Sequence, residues 1–120
     1  MENIVEINRT KKFNLEQARG LLPLVYRLSE EAADEVGVHL NRLKAYPDRT
    51  HPIAIEIDAA VNKIVEKWQC KMEKLGAEPK GLWMTDFDNG SGYFCWKFPE
   101  TEIKFWHGYQ DGFSGRIVIE

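Results

Sequence analysis

His107 is well placed to do chemistry, because it follows the aromatic pair Phe105-Trp106 and precedes a glycine-punctuated segment carrying Asp111 and Arg116. A histidine at a strand's end with a carboxylate nearby can act as a general base or a metal ligand. The structural alternative is a half-buried ring stacked on Phe87 and Phe94, its nitrogens bonded to loop carbonyls that a turn leaves unpaired. Asp86 and Asp88 stand two apart, so on a strand they share a face and could hold a hard cation with a further carboxylate or waters. His107 and Asp86 are therefore the catalytic candidates, and Asp86, Asp88, His107 and Asp111 the metal candidates. No EF-hand loop, His-Glu-x-x-His or Cys-x-x-Cys spacing supports them. The bland reading makes Asp88 the start of the Asn89-Gly90 turn and pairs Asp86 with Arg116 or Lys97.

Cys95 would be an activated nucleophile if its sulfur reached a histidine. Strand parity puts Cys95 and His107 on opposite faces, and a mid-strand cysteine lacks the helix N-terminus that lowers a thiol pKa, so Cys95 reads as small packed core. Glu31, Glu35 and His39 lie four apart on one helical edge, the spacing of bundle metal sites. A facing helix offers Glu56 and Glu66 but no Glu-x-x-His set to answer them, so this edge reads as a solvated acidic stripe. Tyr93 and Trp106, flanked by Lys97 and Lys104, resemble a stacking platform for single-stranded nucleic acid. Against that stand Asp86, Asp88 and a net charge of -3, from 16 basic and 19 acidic residues. A ligand or partner surface built on Tyr93, Trp106, His107 and Arg116 is the better reading, with Gly112 and Gly115 shaping the loop that returns Arg116 to a carboxylate.

Two helices must carry the first half. Asn14 followed by Gln17 is a capping-box signature, so a helix starts at Leu15. From there Leu15, Ala18, Leu22, Val25, Leu28, Ala32, Val36, Leu40 and Leu43 recur at steps of three and four, which is one helical stripe. Pro23 falls inside it and predicts a kink or a short leading helix. After the connector 46–52, Ile53, Ile57, Val61, Ile64, Trp68, Met72 and Leu75 form a second stripe, closed by Gly76 as a left-handed C-terminal residue. So short a connector makes the helices antiparallel neighbours.

Beyond Gly81 the period becomes two, and 82–88, 93–98 and 103–109 read as three antiparallel strands. Loops 89–92 and 99–102 hold even numbers of residues, which would place Trp83, Thr85, Phe87, Phe94, Trp96, Phe98, Ile103, Phe105 and His107 on one core face. The other face would carry Leu82, Met84, Asp86, Asp88, Tyr93, Cys95, Lys97, Lys104 and Trp106, too apolar for open solvent. Segments 4–7 and 117–119 could each add an edge strand or cover it. The expected fold is α+β, a long Pro-kinked antiparallel helical hairpin (15–76) packed on a small antiparallel β-meander with a C-terminal tail (81–120), in one domain of residues 1–120.

The combination of Leu21-Leu22-Pro23-Leu24-Val25, Gly81-Leu82, Asp86-Phe87, Cys95-Trp96, Glu102-Ile103, Trp106-His107, Gly112-Phe113 and Gly115-Arg116 resembles an uncharacterised prokaryotic domain-of-unknown-function family, number 2203. The resemblance covers 13–117 and implies no assigned activity. This chain departs from the family pattern at Pro99 and Gly108, where a glycine and an acidic residue are expected.

The remaining bounds come from composition. At 120 residues, 43% apolar and 29% charged, the chain is an ordinary globular protein. Its longest apolar run, 21–26, is too short to span a bilayer and contains Pro23. The first residues lack a secretory h-region, and Cys70 and Cys95 make no disulfide framework, so a reducing cytoplasm is expected, while the family resemblance implies a bacterial source. The function read from sequence is a non-enzymatic interaction or small-ligand-binding module, with no cofactor, no nucleic acid and no membrane. The alternative is a metal-binding protein or hydrolase-like enzyme around His107, Asp86, Asp111 and Arg116. A first helix of about 48 Å against strands of about 23 Å leaves Val36, Leu40, Leu43, Ile53 and Ile57 beyond the sheet's reach. A homodimer through the helical hairpin would cover them.

Overall fold

The structure, a computed structural model, describes residues 11–120. Segment 4–7, a candidate edge strand, lies outside the described residues. Helix α1 (Leu15–Leu43) begins with the expected capping box: Gln17 N donates to the Asn14 side chain at 2.7 Å, and Asn14 N donates to the Gln17 side chain at 2.9 Å. The helix continues through Pro23, so no separate leading helix forms, and it stops at Leu43. Pro23 and Arg19 both lie on the exposed side, where water can satisfy the Arg19 carbonyl that the missing proline N–H abandons.

Helix α2 (Pro52–Lys74) opens with His51, whose Nδ1 accepts from Ile53 N at 3.0 Å, followed by a proline at the first helical position. It closes at Gly76, whose φ of +90° favours glycine. There Ala77 N donates to Met72 O and Gly76 N to Glu73 O, the paired bonds of a Schellman cap. The two helices pack together, and Trp68 Nε1 donates to Ser29 Oγ at 2.9 Å between them.

The sheet is larger than a three-strand meander. Its order is β1 (Glu78–Pro79), β2 (Met84–Asp88), β3 (Gly92–Lys97), β4 (Phe105–Gly108) and β5 (Ile117–Val118), every neighbour antiparallel. Segment 117–119 thus supplies an edge strand. Between β2 and β3 the expected register holds, with Thr85 opposite Trp96, Asp86 opposite Cys95 and Phe87 opposite Phe94.

Between β3 and β4 the register departs from expectation by one residue: Phe94 faces Trp106, Tyr93 faces His107 and Cys95 faces Phe105. A one-residue slip moves every side chain of a strand to the other face. Phe105 and His107, expected in the core, therefore stand on the outer face, and Trp106, expected outside, stands on the helix-facing side beside Phe94. The cause lies in the connection. Phe98 N donates to Trp83 O, Glu100 N to Lys97 O, and Lys97 N and Trp96 Nε1 donate to Glu100 oxygens, so a broad loop held by Glu100 replaces the compact turn 99–102 and the next strand starts at Phe105.

The core forms where the helices meet the inner face. Phe13, Ala18, Leu22, Val25, Trp68, Met72, Phe87, Trp96 and Ile103 are buried in one cluster. Tyr26 stacks on Phe98 at 5.2 Å, and Trp68 meets Trp83 edge-on at 5.1 Å. Towards the hairpin tip, Val36, Ala54 and Ile57 are buried within the chain itself, which corrects the expectation that Val36 and Ile57 need an outside partner; Leu40 remains exposed.

Candidate metal centre

The outer face of the sheet gathers three side chains of different chemistry from three adjacent strands. Asp86 on β2, Cys95 on β3 and His107 on β4 are 3%, 0% and 3% exposed, and one ligand atom from each falls within 4.8 Å of the others. Their convergence follows from the two registers. Cys95 is the cross-strand partner of Asp86, and His107 stands opposite Tyr93 on the same face. The expected separation of Cys95 and His107 is overturned by the same one-residue slip that places His107 outside. Asp86 pairs with His107 rather than with Arg116 or Lys97: His107 Nε2 lies 3.2 Å from Asp86 Oδ2.

The orientation of His107 is fixed from its other side. Its Nδ1 is 2.9 Å from Gly108 O. A carbonyl only accepts, so Nδ1 carries the proton and Nε2 of the neutral ring presents a lone pair. That lone pair points at a carboxylate. Two acceptors at hydrogen-bonding distance need a proton or a cation between them. Burial pushes the Asp86 carboxyl above the usual carboxylate range, against the opposing pull of His107 and of the Cys95 thiol. Burial, and then the charge of Asp86, pushes the Cys95 thiol up to about 12. A thiol so held is no free nucleophile.

A lid covers the cluster. Tyr109 OH donates to Asp88 Oδ1 at 2.7 Å and its ring meets Tyr93 at 5.2 Å. Arg116 stacks on Phe105 and Phe113, each at 4.1 Å, while its Nη1 donates to both Glu100 carboxylate oxygens at 3.1 and 2.8 Å. Residues 109–116 thus lie over part of the outer face. Under them a cavity of about 160 Å³ borders Asp86 and His107, with Lys80, Tyr93 and Tyr109 in its wall.

Asp88 and Asp111, the other acidic candidates, stand outside the cluster. Asp88 accepts from Gly90 N, as its turn position predicts, and also from Lys12 and Tyr109. Asp111 accepts from Gly108 N at 3.0 Å and closes the loop after β4. Tyr93, His107 and Arg116 share the outer face, but Trp106 is on the inner one, so the expected Tyr93–Trp106 platform does not form. His107 neighbours Tyr93 at 5.5 Å instead of stacking on Phe87 and Phe94. Glu100, which anchors both the connection and Arg116, carries no sequence signal beyond its charge.

Fold and site together define an α+β protein with a buried Asp–Cys–His cluster on the sheet face turned away from its helices. The chain belongs to DUF2203, a family of uncharacterized conserved proteins, whose model matches residues 11–119. No match was found among curated proteins or among solved structures. Among the described residues, no helix is long and apolar enough to cross a membrane.

Proposed function

We propose that this protein binds one divalent transition metal ion, zinc above others, through Asp86, Cys95 and His107. The observation that carries the reading is the convergence of these three buried donors on one point from three strands. Zinc bonds of about 2.0–2.3 Å put tetrahedral donors roughly 3.2–3.8 Å apart, and the His107–Asp86 pair at 3.2 Å already has that spacing. Charge supports the same reading. Thiolate, carboxylate and neutral imidazole carry two negative charges, which a dication cancels, whereas an uncompensated buried charge is costly. The bond from Nδ1 to Gly108 O is the outer-shell contact that orients a ligating histidine and frees Nε2. Three protein ligands leave a fourth position, and the adjoining cavity has room for a water or another small ligand. Free Cys70 and Cys95 suit a reducing compartment, the cytoplasm.

Cobalt(II) titration of chelator-treated protein tests this. One equivalent should produce a thiolate-to-cobalt charge-transfer band in the near ultraviolet, displaced by zinc. Cys95→Ser should abolish the band, His107→Ala should lose stoichiometric metal, and Cys70→Ser should retain both. Wild-type protein that shows no band and no stoichiometric zinc would sink the assignment, and the cluster would then be a proton-sharing structural triad.

A further inference from the structure

The hairpin carries a second surface, on the side away from the sheet. A groove of about 330 Å³ runs between α1 and α2 over an apolar floor of Leu28, Ala32, Ile64 and Trp68. Its two rims have opposite charge. Glu31 and Glu35 line the α1 side, and Lys63, Lys67 and Lys71 line the α2 side. Among the described residues no ion pair joins the rims. Each rim repeats one sign at steps of four, an arrangement that destabilises an isolated helix and that an opposite row laid alongside reverses.

We propose that the occupant of this groove is a second copy of the chain, docked hairpin to hairpin about a two-fold axis parallel to the helices. Direction and register both support this arrangement. Tyr26 faces the sheet, stacking on Phe98, and Glu35 lies nine residues further on, half a turn around the helix at 3.6 residues per turn. The groove therefore opens opposite the sheet, and two copies would stack as sheet, hairpin, hairpin, sheet without obstruction. An axis along the helices keeps each residue at its own height and exchanges left for right, so α1 of one copy lies over α2 of the other. The Ser29–Trp68 bond sets those heights. In that register Glu31 stands within one residue, about 1.5 Å along the axis, of Lys67, and Glu35 within one residue of Lys63, so acid falls beside base twice on each side of the axis. An axis across the helices would set acid on acid. The apolar floors then close on each other as the centre of a four-helix layer, with the charged rows as its rim.

Light scattering coupled to size exclusion across micromolar concentrations tests the proposal on the full chain. The wild type should elute at twice the 13.9 kDa chain mass. The double variant Glu31→Lys, Glu35→Lys and the double variant Lys63→Glu, Lys67→Glu should each be monomeric with unchanged helical circular dichroism, since all four side chains are exposed. An equimolar mixture of the two variants should dimerise again. A wild type that stays at 13.9 kDa overturns the proposal. So does a dimer that neither variant disturbs, and so does a mixture that stays monomeric.

Discussion

Ser29 and Thr85 are both fully buried hydroxyls, and the structure treats them in opposite ways. Ser29 accepts from the Trp68 indole at 2.9 Å, whereas Thr85 Oγ1 has no partner among the described residues. Ser29→Ala leaves a buried N–H with nothing to bond, and urea unfolding should show a loss of about 1–3 kcal/mol. Thr85→Val removes an orphaned hydroxyl at nearly constant shape on a strand that favours β-branched residues, and should gain on the order of 1 kcal/mol. Equal losses in both variants would mean that packing rather than hydrogen bonding sets the stability of these positions. Apolar periodicity finds Trp68 but passes over Ser29, because a buried serine breaks the pattern by type while obeying it by position. The same limit applies to the candidate metal centre. Asp86, Cys95 and His107 each stand out by residue type, yet their meeting depends on strand register.

At the scale of elements, register is what sequence conveys least securely. The Asn89-Gly90 turn announces itself, and Asn89 Oδ1 duly accepts from both Ser91 N and Gly92 N, so β2 and β3 pair as read. The 98–104 connection has no such signal: Pro99-Glu100-Thr101-Glu102 looks like a compact turn, and the contacts that widen it come from Trp83, Trp96 and Glu100. Those contacts are tertiary, so parity counted through the loop fails by one, and the face of His107 with it. The Arg116 lid has a testable consequence for Cys95. In the native protein exposed Cys70 should react at once with an aromatic disulfide reagent, while buried Cys95 should wait for unfolding. Arg116→Ala removes the stack on Phe105 and Phe113 and the Glu100 pair, so Cys95 should become reactive under native conditions. A second thiol as slow as in the wild type would show that the strands alone shield the cluster.

At the scale of the whole molecule, mismatch of length divides the hairpin into two regimes. Helix α1 has 29 residues and so extends about 43 Å, while strands of four to six residues reach only about 13–20 Å. The sheet therefore stabilises one end. There both helices pack on Phe87, Trp96 and Ile103; at the other end Val36, Ala54 and Ile57 pack between two helices alone, with Val38, Leu40 and Ile55 about half exposed. The sequence stripes predict the burial of Val36 and Ile57 but not where it ends, because a periodic pattern carries no information on how far the sheet extends. Few buried contacts mean low local opening free energy. Hydrogen exchange should show amides near the 43–52 connector exchanging through local opening, well before those flanking Val25 and Met72. Ile57→Ala should widen that gap further. Because the candidate metal centre lies across the sheet from the helices, the same variant should leave cobalt binding unchanged in stoichiometry. Uniform protection along both helices, or loss of the cobalt band in Ile57→Ala, would instead mean that tip, core and outer face open as one cooperative unit.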